Sequence, residues 1–141
     1  MDKWEIQQRI RNLESRKSEL ESEISRLEEK RGRIELEHSR KMRQINQVSS
    51  FYSGRRTNAG LLRDGVQGVA ISKAVERFGS IYDATNEGNL ISNLRSAQSY
   101  LKKNCEKIDE RIESARNDIS SLNWQIYCYK KDLENVESEV Q

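Results

Sequence analysis

The sequence predicts an all-α fold: an elongated antiparallel helical hairpin, coiled-coil-like, with a shorter amphipathic helix between two long arms. Three observations predict it. Apolar residues recur at alternating steps of four and three over two long stretches, the period of a helix packed along a neighbour. The 141 residues hold no proline, and 34% are apolar while 34% are charged. That balance is too polar for a large globular core and suits long helices. Between the periodic stretches lie clusters of Gly, Ser, Asn and Thr, the chemistry of chain breaks. A single helical-hairpin domain over 1–141 is expected, with arm 1 over about 2–48, an elbow at 49–60, a middle helix over about 61–82 and arm 2 over about 90–140.

Arm 1 opens on Asp2, with Glu5 three positions later. This is the spacing of a capping box, in which each side chain accepts from the other residue's free N–H. Its seam runs through Ile6, Ile10, Leu13, Leu20, Ile24, Leu27, Ile34, Ile45 and Val48. The same register places Lys17, Arg31, His38 and Lys41 on the seam, where charge weakens pairing and helps set register. His38 has no other metal ligand at matched spacing, so it is taken as a seam residue. The basic run Ser39-Arg-Lys-Met-Arg43 has Glu35 and Glu37 beside it and no interleaved aromatics. It is taken as a solvated helix face, and no nucleic-acid partner is expected.

Ser49-Ser-Phe-Tyr-Ser-Gly-Arg-Arg-Thr-Asn-Ala-Gly60 is expected to break the helix, with Phe51 and Tyr52 available to pack or dock at the elbow. Thr57 or Asn58 would then cap the middle helix. Its stripe consists of Leu62, Val66, Ala70, Ala74, Phe78 and Ile81, widened by Leu61, Val69, Ile71 and Val75. Gly65 and Gly68 suit close helix approach. They are not followed by Gly-Lys-Ser/Thr and do not read as a phosphate loop. Asp83-Ala-Thr-Asn-Glu-Gly-Asn89 is expected to break the chain again.

Arm 2 carries the most regular seam. Leu94, Leu101, Cys105, Ile108, Ile112, Ala115, Ile119, Leu122, Ile126, Tyr129, Leu133, Val136 and Val140 keep the four-three rhythm. Cys105 on that seam reads as a small hydrophobe. Cys105 and Cys128 are 23 residues apart, about 35 Å on one helix, too far for an intrachain disulfide. A reducing, cytoplasmic setting at synthesis is expected. Trp124 and Tyr127 share a face off the seam, which suggests a second packing surface. Trp4 and Leu36 are likewise off the seam.

The net charge of +2 gives no strong field toward nucleic acid or membranes. No apolar run is long enough to cross a bilayer, so no membrane insertion is expected. No catalytic triad, paired-acid site or metal cluster stands out, so neither an enzyme nor a cofactor is expected.

With its long helix, aromatic-x-Gly stretch and second long helix, the chain resembles the small helical-hairpin proteins of the Trp-x-Gly superfamily of type VII secretion in Gram-positive bacteria. Tyr52-Ser53-Gly54 stands for the motif, with Tyr in place of Trp, and Leu61 stands at the later apolar position. Within that superfamily it looks most like the small accessory proteins of LXG toxins. The resemblance implies a non-enzymatic targeting or chaperone partner that binds the N-terminal helical domain of a co-encoded toxin, alone or with a second small helical protein. The superfamily's C-terminal Tyr-x-x-x-Asp/Glu signal is absent, since Tyr127 is followed by Lys131 and Tyr129 by Leu133. This fits a protein that prepares a cargo carrying its own signal, or is secreted with it. Self-association is left open for the unpartnered chain. The partner surface is expected at Phe51, Tyr52, Leu61, Val66, Phe78, Ile81, Trp124 and Tyr127. A free-standing coiled-coil scaffold or a prefoldin-like holdase would share the same hairpin.

Overall fold

A computed structural model describes the backbone of residues 1–65 and 69–140, with the side chains of 62–65, 69–71, 78 and 140 outside the description. All the described elements are helices: α1 (Lys3–Gly65), α2 (Val69–Ile81) and α3 (Ala84–Val140). The long helices α1 and α3 pair antiparallel as a helical hairpin. The chain divides into two compact units. Unit 1 joins Met1–Arg33 to Cys105–Gln141, and unit 2 is Ile34–Asn104.

In unit 1 the antiparallel pairing is marked by side chains that bridge α1 and α3. Lys3 meets Glu137 at 3.3 Å, Glu14 meets Lys130 at 3.7 Å, Glu28 meets Arg116 at 3.0 Å and Arg31 meets Asp109 at 2.6 Å. The partner's number falls along α3 as the position along α1 rises. Exposed pairs of this kind add little stability and mainly fix register. The apolar seam supplies the stability: Ile6, Ile10 and Ile126 are buried against Leu13, Tyr129, Leu133 and Val136, and Leu20, Ile108, Ile112 and Ala115 are buried too. Each buried Ile or Leu among them contributes about 1.5–3 kcal/mol. The heptad rhythm therefore selects the buried positions as expected. The seam cation Arg31 is half-buried, and its guanidinium donates to both Asp109 oxygens, at 2.6 and 3.4 Å. Helix α1 begins where its cap predicts. The Glu5 N–H donates to Asp2 Oδ1 at 2.8 Å and the Asp2 N–H donates to Glu5 Oε2 at 3.3 Å.

In unit 2 the elbow expected at 49–60 is not a break. Ser49–Gly60 lies within the unbroken helix α1, so arm 1 does not end near 48 and neither Thr57 nor Asn58 caps a helix. The Thr57 hydroxyl instead donates to the Ser53 carbonyl at 3.0 Å, one turn back in the same helix. Two glycines cost the helix about 1 kcal/mol each. Breaking it would expose up to four N–H groups and four C=O groups at the new ends, each in need of a cap. The four-three rhythm also continues through the segment: Val48, Tyr52 and Ala59 keep the spacing, and Ala59 is buried.

The described turn is narrower than expected and lies farther along the chain. Only Tyr82 and Asp83 separate α2 from α3, so the break expected over 83–89 shrinks to its first residue and arm 2 starts at Ala84, not near 90. Asp83 is the reason. Its Oδ1 accepts from the Asn86 N–H at 2.8 Å and caps α3. The closing carbonyls of α2 are satisfied in turn. Gly79 and Ser80 accept from the N–H groups of Tyr82 and Asp83, and Ile81 accepts from the Asn86 amide at 3.0 Å. Of the middle helix expected over 61–82, residues 61–65 belong to α1 and Val69–Ile81 form α2, while 66–68 lie outside the described residues. Helix α2 lies against the last turns of α1, where a Cβ on Gly79 would stand 3.6 Å from the Ala59 Cβ.

Candidate functional site

Of the described residues expected to bind a partner, Trp124 and Tyr127 belong to unit 1 and Phe51, Tyr52, Leu61 and Ile81 to unit 2. In unit 1, Trp124 and Tyr127 are one helical turn apart on α3 and stack with ring centroids 5.6 Å apart at 24°. Trp124 is 65% and Tyr127 52% exposed. The Lys131 ammonium sits 5.7 Å from the Tyr127 ring centroid and extends the same face. An exposed aromatic stack on a rigid helix gives up little side-chain freedom on binding and offers a large apolar area, the usual make-up of an interface hot spot.

In unit 2, Phe51 and Tyr52 meet Tyr82, the residue between α2 and α3. The three rings form an edge-to-face triangle with centroids 5.6–5.8 Å apart. Arg55 lies over the outer ring, 5.2 Å from the Phe51 centroid. Arg56 fastens the same corner: its guanidinium donates to the Tyr82 carbonyl at 3.3 Å and pairs with Glu87 near the start of α3. The stretch expected to be a turn is thus the wall on which the described turn is built. Gly54 is exposed, with no atom within 4 Å of a Cβ placed there, so the Tyr52-Ser53-Gly54 motif forms no turn.

Phe51 and Tyr52 also line a groove of about 730 Å³ between α1 and α3 of unit 2, with Lys41, Val48, Leu90 and Leu94 among its walls. Phe51 is 48% and Leu90 43% exposed. Leu61 and Ile81 are exposed on the same unit, but neither lines this groove. Val66 lies outside the described residues, and so does the side chain of Phe78. Sequence reasoning missed Tyr82, Leu90 and the Arg56–Glu87 clasp. Tyr82 stands directly before the Asp83 cap, and that aromatic-cap pair was the available signal.

Among the described residues no cluster of His, Cys, Asp and Glu could hold a metal ion, and no helix is long and apolar enough to cross a membrane. Cys105 and Cys128 are both half-buried. Compared with known proteins, the chain matches no family model, no curated protein and no solved structure.

Proposed function

We propose that this chain is a non-enzymatic binding partner for the N-terminal helical domain of a type VII-secreted LXG toxin, aiding the toxin's stability or its targeting to the secretion machinery. The observation that carries the proposal is the exposed Trp124–Tyr127 stack. It lies beside a seam that the two arms already satisfy between themselves, so the stack is surplus to the fold and free to be covered by another protein. The chain stays in the cytoplasm at synthesis and leaves, if it does, with its cargo.

The test is co-expression with the helical domain of an LXG toxin encoded beside it, followed by co-purification. A stable complex is expected. Trp124→Ala should weaken it by about 2 kcal/mol, roughly thirtyfold, with helicity unchanged. A chain that purifies alone beside a folded toxin domain would refute the reading. One observation favours a second reading, a free-standing scaffold or prefoldin-like holdase: Tyr52-Ser53-Gly54 sits inside continuous helix and not at a turn. That reading gains if the chain instead suppresses aggregation of unrelated unfolded proteins.

A further inference from the structure

Charge is unevenly divided along this chain. Unit 2 contains 11 Lys and Arg against 6 Asp and Glu, a net of +5, while unit 1 contains 14 against 17, a net of −3. The groove of unit 2 follows that bias. Its walls include Lys41 and the apolar Val48, Phe51, Leu90 and Leu94, and among the described residues no carboxylate lines it. Arg55 lies over Phe51 at its edge. The nearest carboxylates in sequence to these walls are already held, Glu37 by Arg40 and Glu87 by Arg56.

The groove runs between two antiparallel helices. Its α1 wall extends from Lys41 to Tyr52, about 16 Å or three helical turns. That length and an apolar floor suit a third helix that lays a stripe of i, i+3, i+4 and i+7 side chains between the first two.

We propose that this groove docks an acidic amphipathic helix of another protein, with its apolar stripe against Phe51, Leu90 and Leu94 and its flanking carboxylates toward Lys41 and Arg55. The proposal deepens the partner reading and rests on it for the occupant being a different chain. A second copy of this chain is a poorer fit. Its acidic unit turns the Ile6 and Ile10 stripe inward against Leu133 and Val136, and the aromatic pair it does expose, Trp124 and Tyr127, carries the Lys131 ammonium beside it, a cation that would face Lys41 and Arg55.

The probes are two synthetic helical peptides of about 18 residues. Both carry Leu at i, i+3, i+4 and i+7; one has Glu on the flanks of the stripe and its twin has Lys. Binding to the full chain is followed by fluorescence anisotropy. The Glu peptide should bind about tenfold tighter than the Lys peptide, and the difference should shrink as salt is raised. Leu90→Glu should lose at least about tenfold in affinity for the Glu peptide, because it places a carboxylate in the apolar floor. Trp124→Ala, on the other unit, should bind it as the parent does. Equal binding of the two peptides, or unchanged binding by Leu90→Glu, overturns the proposal. So does a homodimer in light scattering that Leu90→Glu abolishes, since the groove would then belong to a second copy. The two readings fail separately: a toxin domain that co-purifies while neither peptide binds sinks the groove assignment alone. A bound Glu peptide with no toxin complex sinks the toxin reading alone.

Discussion

Gly54→Ala should make this protein more stable. In a hairpin that turns at Tyr52-Ser53-Gly54, the glycine would supply a backbone conformation that alanine resists, and the substitution would be costly. Here Gly54 is inside α1, its side is open to solvent, and an added Cβ meets nothing within 4 Å. No packing term opposes the change, so the intrinsic helix preference remains. Alanine is better than glycine in a helix interior by about 0.8–1 kcal/mol, in part because glycine has more freedom to lose from the unfolded chain. Gly60 is also in α1 with nothing within 4 Å of its Cβ position. The double replacement of Gly54 and Gly60 should add to roughly 1.5–2 kcal/mol, since neither shares a partner with the other. For a chain of this length each kcal/mol raises Tm by about 3 °C. Urea and thermal unfolding followed by far-UV circular dichroism would measure both. A loss of stability or of helicity in Gly54→Ala would refute the continuous helix and restore the elbow.

Two further substitutions test the packing of unit 2. Arg56→Ala removes the donor to the Tyr82 carbonyl and leaves the largely covered Glu87 carboxylate without its partner, so stability should fall by about 1–2 kcal/mol. Arg56→Lys should avoid only part of this loss, because an ammonium reaches the carboxylate as a point charge and lacks the planar fork; parent-like stability in Arg56→Lys would show that the carbonyl bond contributes nothing. Gln98 faces inward with its Nε2 buried and without a hydrogen-bond partner. Gln98→Leu removes that unsatisfied donor and should stabilise the protein by about 1 kcal/mol. A destabilised variant would mean that the amide is satisfied in solution.

The seam was legible in the sequence because it is a strictly local signal. A four-three rhythm of apolar residues can be buried only along one line of a helix, so Ile6, Ile10, Leu20, Ile45, Ile108, Ile112 and Ile126 could be placed inside before any partner was known. The Asp2–Glu5 cap was legible for the same reason, since its geometry spans one turn of chain. The positions of the breaks were not. Gly54, Gly60, Ser53 and Thr57 each disfavour a helix by a kcal/mol or less, which is small beside the cooperative cost of opening two new helix ends. The burial of Ala59 and the contacts of Phe51 and Tyr52 with Tyr82 link residues about thirty positions apart, so only the tertiary structure could decide that the helix continues there. The same pairing decided the unit 2 groove. Val48 and Leu94 were assigned to a seam, and Phe51 to an elbow, as residues of separate segments. They became walls of one cleft only when α1 and α3 were brought side by side. Sequence periodicity says which face of a helix is buried. The register between two helices, and hence the grooves beside their seam, depends on contacts that neither helix encodes alone.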